Sequence, residues 1–356
     1  MIFERGLKNT LEIYKKWWAG ELDRPIIPIV LTYDETGKKP RNPYEGQKSF
    51  GNPTISPEEF INGVDYELNR TEFLGDAYPF LNMMCSGPGI VAAFLGADVI
   101  LNNGNIWFQP KEALPINKLH FVYCDNNYWL NRTKAVLIEA NKRWGNSVIV
   151  GMPDLGGVFD ILATFRGSQN LLLDLYDSPN EVIRVVNEIK ELWHRYYSEL
   201  SEFTTPDFYT NWSGILSETY TYMLQCDLCY MFSTDMFNQF VKDELRETCE
   251  FLGRGCYHLD GVGQIPHLES LMEINKMKLI QWVPGDGSYD SNDWLGVNSK
   301  VISAGKHLQI MDYDFSQLDK LISHFGRGKN VAVYQVNLPA NQRARAFDIL
   351  SRYNFY

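Results

Sequence analysis

The chain has 356 residues, 45% of them hydrophobic and 22% charged, with 33 basic against 44 acidic side chains and a formal net charge of −11. That composition fills an ordinary globular core and excludes duplex nucleic acid as a partner, because phosphate neutralisation needs clustered Lys and Arg. No apolar run approaches a bilayer span, the first residues carry neither an apolar signal segment nor a cleavage site, and six cysteines in so long a chain read as thiols, so a cytoplasmic protein is expected.

Residues Phe3 to Trp18 place apolar side chains at helical spacing and stop at Gly20. Arg24-Pro25 leads into Ile26–Leu31, a buried strand with prolines near its start. Asp34 to Pro57, rich in Gly, Pro, Lys and Asn, reads as a long inserted loop. Ser56-Pro57-Glu58-Glu59 then opens a helix with a serine cap and proline in the first turn. Later strands are expected at Ser147–Met152, Asp207–Trp212, Met223–Cys226, Gly255–His258, Met277–Val283 and Asn330–Val336. Amphipathic helices at Pro179–Leu200, Ser233–Leu252 and Leu318–Phe325 lie between them, with Ser178 and Ser233 as caps. This alternation predicts βαβ units on a parallel sheet. With no repeat and no linker, residues 1–356 read as one domain.

The chemistry concentrates where strands end on glycine. Cys256-Tyr-His-Leu-Asp-Gly261 brings an imidazole and a carboxylate to one face, since strand residues two apart point the same way. His258 and Asp260 can hold a divalent metal, or act as a base and its orienter; the competing reading is a satisfied core histidine and a turn cap. Asp76, after an apolar run, can deliver a proton or stabilise a cation, or simply cap the next segment. Cys226 and Cys229 have the spacing of a metal or redox pair, and both thiols, Cys226 first, can join a mixed site with His258 and Asp260; buried packing is the alternative. Asp227 is read as a polar group projecting into the cleft. Trp212, Trp282, Tyr209 and Tyr33 stand near predicted strand ends, where aromatics stack on a ring or cation or only pack. In the turn Pro284-Gly-Asp-Gly287, Asp286 suits a hydroxyl-bearing ligand better than an anion.

Several of these segments also occur in a telling order. They are Asp23-Arg-Pro25, then Phe73-Leu-Gly-Asp76-Ala-Tyr-Pro79 followed by Gly96-Ala97, and Gly151-Met-Pro153 through Asp174–Pro179. Gln225-Cys-Asp227 with Phe232–Phe237, and His258-Leu-Asp-Gly261, complete the set. Together they resemble the uroporphyrinogen decarboxylase superfamily, which includes zinc-dependent, corrinoid-linked methyltransferases. The resemblance implies a distorted (β/α)8 TIM barrel with an N-terminal helix and an inserted loop, a cleft at its C-terminal face, and often a homodimer. It puts Asp76 where the decarboxylase has its essential aspartate, and His258-x-Asp260-Gly where the methyltransferases have His-x-Cys-Gly. After the first strand the chain reads Val30-Leu-Thr-Tyr-Asp-Glu-Thr36, two acids and no arginine, which would repel a polycarboxylate.

The expectation is a methyltransferase-like enzyme acting on a small polar molecule, neutral or cationic, in a cleft lined by Asp76, Asp227, His258, Asp260 and Trp282. Zinc on His258, Asp260 and Cys226, and a corrinoid protein as partner, belong to that reading. A decarboxylase or lyase using Asp76 without metal is the rival enzyme. A non-catalytic barrel that binds a small molecule or a partner protein is the rival from another class.

Overall fold

Period-two and period-3.6 apolar patterns decide the elements. The computed structural model describes residues 1–33, 47–102, 105–285, 294–311 and 314–355. Among these the strands are β1 (Pro28–Thr32), β2 (Thr71–Gly75), β3 (Phe80–Leu81), β4 (Asp98–Asn102), β5 (Asn105–Gln109) and β6 (Ile149–Val150). They continue with β7 (Thr221–Leu224), β8 (Arg254–Asp260), β9 (Met277–Val283), β10 (His307–Ile310), β11 (Val331–Val333) and β12 (Val336–Pro339). The helix Pro57–Leu68 begins on the expected serine cap, which the structure completes as a capping box: the Glu59 amide donates to Ser56 Oγ at 3.1 Å, and the Ser56 amide donates to Glu59 Oε2 at 2.9 Å. The helix Pro179–Ser201 turns Val182, Val185, Ile189, Trp193 and Tyr196 inward at helical spacing.

The expected closed (β/α)8 barrel is not what these strands build. Strands β7 to β11 form one parallel five-stranded sheet in the order β11-β10-β9-β8-β7, while β12-β1-β2, β3-β6 and β4-β5 are separate sheets. Two causes are visible. Strand β2 runs antiparallel to β1 and ends that sheet. Residues Asp207–Trp212, expected as a strand, form turns with one isolated bridge from Tyr209 to Ser217. Pro206 has no N–H to give, and Asp207 has φ 64°, so no ladder runs from β6 to β7 there.

Other boundaries moved for local reasons. The helix expected over Ser233–Leu252 divides into Thr234–Phe240 and Lys242–Leu252. Asn330–Val336 yields two strands, and Ser147–Met152 keeps only two ladder residues. Strand β10 was not expected, because its alternate positions His307 and Gln309 are polar and mask the apolar pair Leu308 and Ile310. Residues 34–46 of the predicted loop lie outside the described residues; Gln47–Gly51 is a short helix. Among the described residues no helix is long and apolar enough to cross a membrane.

The large sheet is covered on both faces. One face carries Met223, Cys256, Leu279 and Ala332, which cluster with Leu11, Tyr14 and Trp17 of the first helix, Leu7–Trp18. The other carries Tyr257, Leu259, Ile280 and Trp282 into the main core beneath the outer helices. Continuous burial of this kind is why the parallel strands read as nearly unbroken apolar runs.

Asp76, expected in the cleft, ties the first elements together instead. It is fully buried just after β2. Arg24 grips both its oxygens at 2.7 and 2.9 Å, Arg5 donates to Oδ1 at 2.7 Å, and the Ile27 amide donates to Oδ2 at 3.0 Å. Both carboxylate oxygens are therefore engaged, and the first helix, β1 and β2 share one anchor. Removing one member of a buried ion pair strands the other charge. Asp76→Ala is expected to lower stability by about 3–5 kcal/mol in urea unfolding. A loss below about 1 kcal/mol, the worth of an exposed pair, would show that the clamp does not anchor the fold.

Candidate functional site

The side chains that converge lie at the carboxyl edge of the parallel sheet. On β8, Cys256, His258 and Asp260 share the inner face, and the register sets Leu279, Gln281 and Val283 beside them. On β10, Gln309 pairs in register with Gln281. Two buried glutamines and a partly buried histidine in adjacent strands must find partners, and they find each other. The chain begins at a main-chain carbonyl: Gln309 Nε2 donates to Ser213 O at 3.0 Å. Gln281 Nε2 then donates to Gln309 Oε1 at 2.7 Å, which leaves Gln281 Oε1 as the acceptor for His258 Nδ1. A carbonyl can only accept, so the polarity of the whole relay is fixed. Neutral His258 is therefore protonated on Nδ1 and keeps a basic lone pair on Nε2. The Trp212 ring meets the imidazole edge to face at 5.3 Å, and Asp260 Oδ2 lies 3.9 Å from Nε2.

Carboxylates gather alongside. Asp227 follows β7, opens the short 3-10 helix Asp227–Met231, and stands in the electrostatic field of His258 and Asp260. Asp160, in the first turn of the helix Val158–Arg166, accepts the amides of Asp227 and Leu228 at 3.1 and 3.2 Å. That approach depends on Gly157: a Cβ there would lie 2.0 Å from the Gln225 carbonyl. Behind them, buried Asp154 accepts from the Gly156 amide at 3.0 Å and from the Tyr222 hydroxyl at 3.1 Å.

Burial and mutual repulsion push these acids the same way. Desolvation first, and then the Asp227 charge, raise Asp160 to about 7. Asp154 is raised to about 6, chiefly by burial. Asp227 is raised by desolvation, with His258 opposing the shift and Asp260 adding to it. Asp160 and Asp227 line a cleft of roughly 420 Å³ with Gln225, Trp107, Phe108 and Met231.

The remaining expected site residues lie elsewhere. Trp282 alternates to the opposite face of β9 and packs on Trp294 at 5.1 Å, so Gln281 and not Trp282 stands beside His258. Cys226 points into the main core, buried against Cys229, and burial holds its thiol well above the usual range. Tyr33 donates to Glu72 Oε2 at 2.6 Å, and Arg343 grips the same carboxylate. Asp286 lies outside the described residues.

The donor set tests the zinc reading. Zinc sites take thiolates and imidazole, yet burial holds the Cys226 thiol well above its usual range and turns it into the main core, away from His258. Among the described residues no group of three or more His, Cys, Asp and Glu side chains is arranged to hold a metal ion. Zinc on His258, Asp260 and Cys226 does not fit.

Sequence reasoning named His258, Asp260, Asp227 and Trp212 and missed Asp154, Asp160, Gln281 and Gln309. One signal for the glutamines was present: applying the i, i+2 alternation to Met277–Val283 puts Gln281 on one face with Leu279. Asp160 was signalled by Gly156-Gly157 opening a helix right after a strand.

No family model matches this chain, and no curated protein matches it. Among solved structures it is similar to a methyltransferase from Methanosarcina mazei. The two are 11% identical, the superposition has a TM-score of 0.54, and it covers 98% of this chain and 100% of the other. At that identity the likeness is one of fold.

Two measurements follow from this geometry. Nitrogen NMR of neutral His258 is expected to show the Nδ1-protonated tautomer; the Nε2-protonated form would contradict the relay. The second concerns acid stability. Asp160 holds its proton to about 7 when folded and releases it near the ordinary 3.8 when unfolded. The folded state therefore binds more protons between those values, and stability falls as pH rises from about 4 to about 7. Urea titrations across that window are expected to show this slope flattened in Asp160→Asn; an unchanged slope would show that Asp160 does not titrate there.

Proposed function

We propose that this chain is an enzyme of methyltransferase type. It works in the acidic cleft at the carboxyl ends of β7, β8 and β9, on a small polar molecule that is neutral or cationic. The observation that carries the reading is the His258–Gln281–Gln309–Ser213 relay, which leaves a basic imidazole nitrogen beside carboxylates. The likeness of fold to a methyltransferase, over nearly the whole length of both chains, supports the same choice.

The chemistry asked of the residues is modest. His258 Nε2 takes the proton from the acceptor as the acceptor's lone pair attacks the methyl carbon. The electron pair of the breaking bond leaves with the donor. The imidazolium formed lies 3.9 Å from Asp260 Oδ2 and in the field of Asp227, so both carboxylates favour the charged state that develops. Trp212 holds the ring plane from one side. A corrinoid-bearing protein is the partner this reading expects at the mouth of the cleft. Zinc forms no part of it, because the donors do not fit. A lyase built on Asp76 has no support in the site, since guanidinium groups and a main-chain amide occupy both carboxylate oxygens.

Incubating the protein with methylated amines and ethers, together with a thiol acceptor, tests this by NMR of the demethylated product. Replacing a general base costs about 10²–10⁴-fold in rate. His258→Ala is expected to lose turnover on that scale with its melting temperature little changed, because the ring is only partly buried at the carboxyl edge of the sheet. Turnover that survives His258→Ala intact would retire the assignment.

A further inference from the structure

We propose that the cleft beside Asp227 is a binding site for a methylated ammonium group, walled by the Trp107 indole and the carboxylates of Asp160 and Asp227. The inference rests on the methyl-transfer reading: the cleft adjoins His258 through Asp227, which stands in the field of both His258 and Asp260, and it would hold the substrate's ammonium group. Three observations carry it.

The first is charge. Among the residues lining the cleft, Asp160 and Asp227 are carboxylates, and none is Lys, Arg or His. An anion would be repelled, and a neutral ligand would bring no positive charge to the two acids. A monovalent cation resolves both, since an opposite charge within a few ångström favours the ionised carboxylate.

The second is the aromatic wall. On the hairpin strand β5, Ile106 is buried against Gly51 and Gly87, while its neighbour Trp107 stays 53% exposed and lines the cleft. Phe108 and the thioether of Met231 complete that side. Indole faces attract cations through the ring quadrupole, and quaternary ammonium groups above all, because they bring charge without a tight water shell.

The third is the way Asp160 is already engaged. The two Asp160 oxygens each already accept one amide, from Asp227 and Leu228, so part of their accepting capacity is spent inside the protein while their charge still acts on the cleft. A methylated ammonium, which donates few hydrogen bonds or none, needs no more than that.

Proton linkage gives the site its own signature. Asp160 faces Asp227, Cys226 and Cys229 on the segment after β7, Asp154 after β6, Tyr257 on β8 and Glu244 on the helix Lys242–Leu252; Asp227 in turn faces His258 and Asp260. Burial and these like charges hold the Asp160 proton on to near neutrality. A bound cation favours its release. Affinity is therefore expected to climb as pH rises from about 5.5 to 8 and then level off.

Calorimetric titration of the full chain with choline, and with its neutral carbon isostere 3,3-dimethylbutan-1-ol, separates charge from shape. Choline is expected to bind at least about tenfold more tightly than the isostere, with proton uptake by the buffer at pH 7. Trp107→Ala is expected to weaken choline by about threefold to thirtyfold, with Trp107→Phe recovering most of the loss. The half-exposed ring leaves the melting temperature of both variants near that of the parent. Asp160→Asn is expected to flatten the pH dependence. Equal affinities for choline and the isostere, no measurable choline binding, or indifference to Trp107→Ala would each overturn the ammonium site. Methyl transfer that still depends on His258 in that event would leave the broader reading standing, so the two failures are distinguishable.

Discussion

A carboxylate taken out of water has two stable outcomes: it is paired with cations, or it keeps its proton. This molecule contains both, and the difference separates its scaffold from its site. Asp76 is wholly buried and held by Arg5, Arg24 and the Ile27 amide. Asp154, Asp160 and Asp227 crowd together with amides and a tyrosine hydroxyl but no guanidinium, and all three are pushed toward the protonated form. The first arrangement anchors three elements. The second stores a demand for positive charge, and that demand is chemical capacity. Exposed pairs such as Arg327–Asp23 are worth about 1 kcal/mol or less and decide neither.

The same logic of satisfying buried polar groups explains the relay. Glutamines inside a parallel sheet are costly unless both ends of each amide are used. Gln281 and Gln309 meet that condition only through a chain that starts at Ser213 O and ends on His258. The imidazole is thereby held in one tautomer by the interior of the sheet and not by the mobile water of the cleft. Strand period adds the last constraint. Because side chains alternate, the inner face that carries Cys256 into the core beneath the first helix also carries His258 and Asp260 to the rim.

The elements that sequence patterns made legible are those with long, unbroken periodicity. Pro179–Ser201, Met277–Val283 and the helix start capped by Ser56 emerged close to their expected bounds, because one local cause fixes each. Strand β10 escaped notice because His307 and Gln309 break its apolar run, and Asp207–Trp212 misled because aromatic content imitates a strand where Pro206 and a left-handed Asp207 forbid one. The closed barrel failed for a related reason. Closure depends on which strand edges meet, and nothing local records that.

At the site, the chain by itself determined that an imidazole and a carboxylate share one strand face just before a glycine, since the period of two is a property of the extended backbone. It also determined the acidic balance. Only the tertiary structure decided that Asp76 serves the scaffold, that Trp282 faces away, and that Asp160 and Gln281 complete the cleft. Each of those outcomes depends on the partner brought alongside by packing, across separations such as 52 residues between Arg24 and Asp76 or 67 between Asp160 and Asp227. A side chain's charge is written in the sequence; the neighbour that neutralises it, or fails to, is set by the fold.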